Sequence, residues 1–544
     1  MTDSSSSDGE AIPAPEGPAN IIETDYEIGQ NNVQPFGLDI HNPVFAISGL
    51  SVVAFVIITL AFQNSIGPVF TSLRDFLTST FDWFFLLAGN IFVLVCLALI
   101  VTPLGKVRIG GRDATPDYGY AGWFAMLFAA GMGIGLMFYG VSEPISHYST
   151  SFGGIAVGEN GMRTDWAPLG GAEGDEAAAH ALGMAATIFH WGLHPWAIYA
   201  VVALSLALFA YNKGLPLTVR SMFYPIFGER VWGWPGHVID ILAVFATLFG
   251  LATSLGVGAQ QANAGLNYLF GIEIGTTSQI VLIALITGAA LVSVLRGLDG
   301  GVKVLSEVNL IMAAVLVLFI LFAGPTTTLF GDLAENIGAY ATELVPLSNP
   351  FGREDTNFSQ GWTAFYWAWW ISWSPFVGMF IARVSRGRTV REFVTCVLII
   401  PTAVSILWMT VLGGTALDQL IHQGFTGAQD AALELKLFEM LTQLPWTWIA
   451  SLLSIVLVIV FFVTSSDSGS LVIDTITAGG KVDAPVAQRV FWATFEGLVA
   501  IALLIGGGLG ALQAMAVSTG FPFAIVLLIA CYALIKGLMD EPRQ

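Results

Sequence analysis

FAAGMGIGLMFYG, Phe128 to Gly140, is apolar enough to sit in a membrane, yet it carries four glycines where a helix would be most buried. FYWAWWISWSPF, Phe365 to Phe376, combines Pro375 with four tryptophans in a similar run. Glycine and proline loosen a buried helix and free backbone carbonyls, while indole faces attract positive charge without needing a donor on the ligand. Both stretches are therefore predicted to be membrane helices interrupted in mid-span, around a site that suits a small organic cation.

Working outward, 55% hydrophobic and 11% charged residues over 544 positions, with mean hydropathy +0.74, exclude an ordinary soluble domain. Runs of roughly 20 apolar residues, enough to cross a bilayer, lie near 44–62, 83–103, 119–140, 180–210, 235–263, 277–296, 303–324, 362–384, 393–415, 447–475, 488–510 and 515–537. The prediction is an all-α polytopic membrane protein of about twelve transmembrane helices, because continuous runs of this length argue against a barrel of alternating strands. Basic residues mark the cytoplasmic loops. Lys106, Arg108, Arg112, Lys213, Arg220, Arg230, Arg296, Lys303, Arg383, Arg386, Arg388, Arg391, Lys481, Arg489, Lys536 and Arg543 follow even-numbered runs, against Arg74, Arg163, Arg353 and Lys436 on the other side. Both termini are predicted to be cytoplasmic, in the plasma (inner) membrane of a prokaryote.

The formal charge of −19 concentrates at the N-terminus, where Asp3, Asp8, Glu10, Glu16, Glu23, Asp25, Glu27 and Asp39 precede the first basic residue, Arg74. Residues 1–40 are predicted to be an acidic, disordered cytoplasmic tail without the basic start of a signal peptide, and 41–540 the membrane domain. Cys96, Cys396 and Cys531 lie in apolar runs at no metal-ligand spacing and read as small core residues in a reduced setting. The stretches 141–179 and 325–360 are too polar to span, and the second has the spacing of a surface helix acting as lid or brace.

With the first two spans set aside, the interrupted helices begin two blocks of five, about 119–324 and 362–537. Odd-numbered blocks run in opposite directions, and such inverted repeats place substrate near the midplane at their interface. At 1.5 Å per residue, Trp370, Trp191, Trp196 and Gly131 to Gly135 all fall near mid-bilayer. Trp367, Trp370 and Trp373 recur every three residues and run inward on one face, deeper than an interfacial aromatic belt would reach, whereas Trp362 and Trp369 fit either reading. HWGLHPWAIY adds Trp191, Trp196 and Tyr199 around Pro195; a quaternary ammonium, which has no N–H to donate, is best held by such aromatic faces. His190 and His194 are four apart but lack a third metal ligand, so they read as packing or hydrogen-bonding residues. In FFVTSSDSGS, Thr464 and Ser465 offer hydroxyl oxygens without obvious partners, the chemistry of a hard cation such as sodium. Asp467, one turn away, reads as a structural or gating charge.

At these residues the chain resembles the betaine/choline/carnitine transporter family, through GMGIGLMFYGVSEP, FHWGLHPWAIY, FYWAWWISWSPFVGMFIARVSRGRTVREF and FFVTSSDSGS. The resemblance implies a LeuT-like core of five-plus-five inverted repeats in spans three to twelve, two peripheral N-terminal helices, alternating access and a homotrimer. It implies an aromatic box of Trp191, Trp196, Tyr199 and Trp370, with Phe365 and Trp373 along the substrate path and Met132, Gly133, Ile134, Gly135 and Ser254 around it. Sodium would sit on Ala129, Met132, Phe461, Thr464 and Ser465. A second sodium site would use Thr247 and Phe376, although Leu251 stands where a second hydroxyl belongs, leaving stoichiometry open. A carboxylate at the position of Gly135 suits choline in this family, whereas glycine leaves the site neutral and suits a zwitterion. The short segment after Lys536 lacks the long basic helix of members that sense osmotic stress.

The expected function is import of glycine betaine or a similar compatible solute, coupled to sodium, with no other cofactor and no nucleic-acid partner. The alternatives are transport of dimethylsulfoniopropionate, carnitine, ectoine or choline, or a sodium-independent exchanger. An intramembrane enzyme would need an acid–base constellation, which Glu143, His190, His194 and Asp467 do not make from sequence alone; a sensor without transport would bind and never accumulate.

Overall fold

The computed structural model describes residues 20–131, 133–296 and 303–542. Fourteen helices organise them: α1 Asn42–Ala61, α2 Gly67–Val101, α3 Tyr120–Gly131, α4 Ile134–Gly153, α5 Glu176–Trp191, α6 Leu193–Ala207, α7 Trp234–Phe270, α8 Thr276–Arg296, α9 Lys303–Ala323, α10 Thr326–Ser348, α11 Ala364–Val384, α12 Val390–Ile421, α13 Thr447–Thr477 and α14 Val486–Met539. Nine candidate spans among the described residues are long and apolar enough to cross a membrane, and α3 with α4 forms a tenth bent by 66°. The 54-residue α14 holds two of the predicted runs, because Gly507 and Gly508 leave helical geometry between them. A straight helix of that length would reach about 80 Å, far beyond a bilayer.

The interior is made by helices that are apolar all round. Of the apolar 18-residue stretch of the α5–α6 span 94% is buried within the protein and of that of α7 83%, whereas only 33% of those of α1 and α8 is buried, which leaves much of their apolar surface outside. This is the pattern of a central helix set ringed by lipid-facing ones.

Two of the predicted interruptions resolve differently. The first is a true break, and Met132 within it lies outside the described residues. The second is a correction: α11 runs unbroken through Pro375. Proline removes the N–H that would serve the carbonyl of Ile371, and Ser374 Oγ donates to that carbonyl at 2.7 Å instead. A break appears at Gly192, between α5 and α6 (φ −101, ψ −131). The freed N–H of Leu193 donates to Tyr340 Oη of α10 at 3.0 Å, so the 325–360 segment braces the break. The polar stretch that starts at 141 begins as helix, since 141–153 continues α4.

Disorder over residues 20–40 is likewise corrected; residues 1–19 lie outside the described residues. Asn32–Val33 pairs antiparallel with Ile40–His41. Tyr26 stacks on Trp232 with centroids 4.4 Å apart and receives Arg220 Nη2 at 3.0 Å. Arg220 is fully enclosed and lies 3.2 Å from Asp240 Oδ2, a charge contact rather than an aligned hydrogen bond. Aromatic burial and this ionic anchor outweigh the acidic, Ser/Pro-rich composition that suggested disorder.

Candidate functional site

The break between α3 and α4 builds one wall. Gly133 is extended (φ −169, ψ −179) and starts α4, whose first N–H groups have no intrahelical acceptor. Gly133, Ile134, Gly135 and Leu136 line a chamber there, with Ala130 at the end of α3. The N-terminal end of α4 carries partial positive charge and the C-terminal end of α3 partial negative charge. A ligand with separated charges is matched by such a pair of ends.

Aromatic rings make the other walls: Trp191, Tyr199, Trp369, Trp370 and Trp373 line the same chamber, with Ser254 of α7. Trp191 and Trp370 meet edge to face with centroids 5.2 Å apart, and Tyr199 meets Trp370 at 5.2 Å and 64°. Trp196 packs on Tyr199 at 5.3 Å, behind the lining. Each lining indole is tethered through its N–H. Trp370 Nε1 donates to His190 O at 3.1 Å, Trp191 Nε1 to Glu143 Oε2 at 2.8 Å, and Trp369 and Trp373 to Ser254 Oγ at 3.2 and 3.1 Å. With the N–H groups engaged, the rings offer π faces and edges. The chamber has a volume of about 50 Å³, the room of a few water molecules. Gly135 lets the rings close on the helix break, because a Cβ there would lie 2.5 Å from Trp191 Cη2 and 3.2 Å from Trp369 Cη2.

Behind Trp191 lies a group whose members Glu143 and His190 the sequence showed without joining them. The Glu143 carboxylate meets His147 Nε2 at 3.0 Å and His190 Nδ1 at 2.5 Å through Oε1, while Oε2 also accepts from Tyr366 Oη at 2.6 Å. His190 Nε2 contacts Thr363 Oγ1 at 2.9 Å. Glu143 and His190 therefore do belong to a constellation, completed by His147, with ligand atoms within 4.8 Å of one another. The available signals were a carboxylate at membrane depth and His147 four residues on. His194 is separate, bonded to Asn90 Oδ1 at 2.9 Å and stacked on Trp367.

The two ends of the molecule differ. On one side a cavity of about 790 Å³, lined by Arg74, Trp166, Tyr139, Trp362 and Phe365, reaches down toward the chamber. Phe365 stacks on Trp369 at 5.5 Å and 19°, so one aromatic layer divides cavity from chamber. On the other side the segment before α3 is laced to the loop after α11. Ile109 N donates to Arg388 O at 2.9 Å, Gly387 N to Ile109 O at 2.9 Å, and Val390 N to Val107 O at 2.8 Å. Arg388 lies over the rings of Tyr120 and Trp123, and Arg386 pairs with Asp117 at 3.2 Å. Gly387 (φ +83) is required, since a Cβ would fall 2.2 Å from the Thr115 backbone.

A broken helix thus faces a tethered aromatic chamber, and comparison with known proteins places the chain in a family. The profile of the betaine/carnitine/choline family transporters (BCCT) matches residues 43–543. The chain belongs to the BCCT transporter family. A glycine betaine/proline/choline transporter of Vibrio parahaemolyticus is 66% identical over 98% of this chain and 97% of its own length. Glycine betaine transporter 1 of the same species is 55% identical over 96% and 98%, and glycine betaine transporter OpuD of Bacillus subtilis 43% identical over 92% and 94%. The protein is thus a multi-pass membrane transporter with bacterial relatives, and not an enzyme.

In this BCCT transporter the remaining predicted residues scatter. Phe461, Thr464 and Ser465 lie on α13; one turn before them Val458 faces Ile134 across Gly258 of α7, where an added Cβ would stand 3.1 Å from Ile134 Cγ2 and 3.5 Å from Val458 Cγ1. Thr464 is not without partners, a correction: its hydroxyl contacts Phe461 O at 3.0 Å and Val460 O at 3.1 Å and lies 3.3 Å from Asn309 Nδ2. Ala129 is half-buried at the end of α3, one residue from the chamber lining. Asp467 accepts from Ser293 at 2.6 Å and faces Arg489 at 3.6 Å. Thr247 Oγ1 donates to Ala243 O within α7 at 2.8 Å, and Phe376 packs against Trp373. Trp367 turns away from the chamber toward His194 and Phe189.

Proposed function

We propose that this BCCT transporter imports glycine betaine or a closely similar zwitterionic compatible solute, coupled to sodium, by alternating access. The observation that carries the reading is the chamber where tethered tryptophans meet the N-terminal end of α4. Trp191, Tyr199 and Trp370 hold the methylated onium head through their π systems. The carboxylate points to the freed N–H groups of Gly133, Ile134 and Gly135, with Ser254 also lining the chamber and Trp196 backing Tyr199 behind the aromatic wall. Among the described residues no charged side chain lines the chamber, which favours a ligand of zero net charge. The names of the relatives, glycine betaine among their substrates, agree with this choice.

Sodium binds between the carbonyl end of α3 and α13, on Ala129, Met132, Phe461, Thr464 and Ser465. A neutral oxygen set gives the weak, reversible site that a coupling ion requires. Thr247 and Phe376 provide the place of a second ion. The halves 119–324 and 362–537 act as inverted repeats that rock about the chamber. The laced, arginine-rich loops lie on the cytoplasmic side with both termini, and the wide cavity faces outward past Phe365. The protein works as a homotrimer in the plasma membrane, like the family it resembles.

Uptake of labelled glycine betaine into proteoliposomes tests this reading. Accumulation that needs an inward sodium gradient supports both parts. Equal uptake without sodium removes the coupling, and no uptake removes the substrate.

A further inference from the structure

Glu143 lies outside the chamber, but one of its oxygens is a single hydrogen bond from a ring that lines it. Oε2 accepts from Trp191 Nε1 at 2.8 Å, and an indole N–H can only donate. Trp191 in turn meets Trp370 with centroids 5.2 Å apart. Every partner of the carboxylate, namely His147, His190, Trp191 and Tyr366, can donate while itself neutral. Four donors suffice to hold an ionised carboxylate away from water. An anion accepting from an indole N–H pushes electron density into the ring system, and in a low-dielectric surrounding this polarisation is felt on the π face. A more negative face holds a cation more tightly.

We propose that Glu143 is a specificity-determining residue: through the Trp191 indole it lends negative potential to a chamber whose own lining is neutral, and so sets how well a net cation is accepted relative to a zwitterion. This rests on reading the chamber as an onium site. It explains why a carboxylate stays buried next to a box that keeps no charge of its own. It also differs from a purely positional role, in which Glu143 only aims the ring.

The two roles separate by ligand charge. Choline and glycine betaine share the trimethylammonium head, so a mis-aimed ring weakens both equally, whereas a lost negative potential weakens choline more. Glu143→Gln suits the comparison, because the amide oxygen still accepts from Trp191 and Tyr366 and the amide nitrogen donates to a histidine nitrogen. Dissociation constants are measured by calorimetry on the purified protein with saturating sodium, the weaker ligand by displacement of the tighter. The expected result is a loss of about tenfold for choline and about threefold or less for betaine. Equal losses, or none, overturn the proposal while leaving betaine binding intact. A wild-type protein that binds betaine but not choline overturns it too, and one that binds neither sinks the onium reading itself along with it. Should Glu143→Gln not fold, Tyr366→Phe decides: it removes a competing donor, leaves more charge on Oε2, and moves the preference toward choline. An unchanged or reversed preference in that variant overturns the proposal.

Discussion

Trp370 hangs by its indole N–H from the carbonyl of His190, 3.1 Å away. The two residues lie on α11 and α5, from opposite halves of the chain, and His190 stands two residues before the Gly192 break. One bond therefore fixes the ring that Trp191, Trp196 and Tyr199 all touch. Trp370→Ala is expected to abolish the stabilisation that glycine betaine gives the purified protein. Trp370→Phe, which keeps a face but loses the tether, is expected to weaken binding by about tenfold. Ligand-dependent shifts in melting temperature check both.

Gly135→Ala places a methyl group within 2.5 Å of the Trp191 ring. Overpacking of that kind costs about 1–3 kcal/mol, so binding is expected to fall by tenfold or more, with a change in tryptophan emission as the ring moves. Titration followed by fluorescence measures the two together.

Much of this chamber was legible in sequence because its parts obey local rules. Gly133 and Gly135 announced a broken helix, and Trp191, Trp196 and Tyr199 cluster around Pro195. Helical phase misled at Trp367. A spacing of three falls short of a 3.6-residue turn by about 60° per step, so Trp367 rotates off the face that Trp370 and Trp373 share, and Trp369 takes its place. Glu143 was visible as a deep carboxylate, but its grouping was not, because His190 and Tyr366, its partners, are 47 and 223 positions away. Pro375 looked like a break because its rescue by Ser374 depends on a rotamer that no pattern displays.

Arg220 and Asp240 are both fully enclosed, and Arg220 also reaches Tyr26 and His41 at 3.0 and 3.1 Å. Arg220→Met strands the carboxylate and is expected to cost about 3–5 kcal/mol. Adding Asp240→Leu should restore much of that, since paired apolar replacements of buried ion pairs are often close to neutral. Thermal unfolding of the single and double variants in detergent gives the comparison.

Arg163 donates to Asp165 through Nε and Nη2, at 2.9 and 2.6 Å, in the loop before α5. The guanidinium holds the Asp165 carboxyl below its ordinary value against opposing burial, helped by the backbone N–H groups of Ala156 and Ala167. A carboxyl depressed on folding stabilises at pH above its unfolded value, about 3.9, and loses that contribution as pH falls through the folded one. The melting-temperature gap between wild type and Asp165→Asn should thus be constant near neutrality and close below about pH 4. A gap that widens on acidification would reverse the sign of this interaction.

The most direct measurement is an experimental structure of the protein determined with glycine betaine and sodium. Density for the trimethylammonium group enclosed by Trp191, Tyr199 and Trp370, its carboxylate toward the start of α4, is the result predicted. Betaine found only in the wide cavity beyond Phe365, with the tryptophans closed on one another and nothing between them, would contradict it.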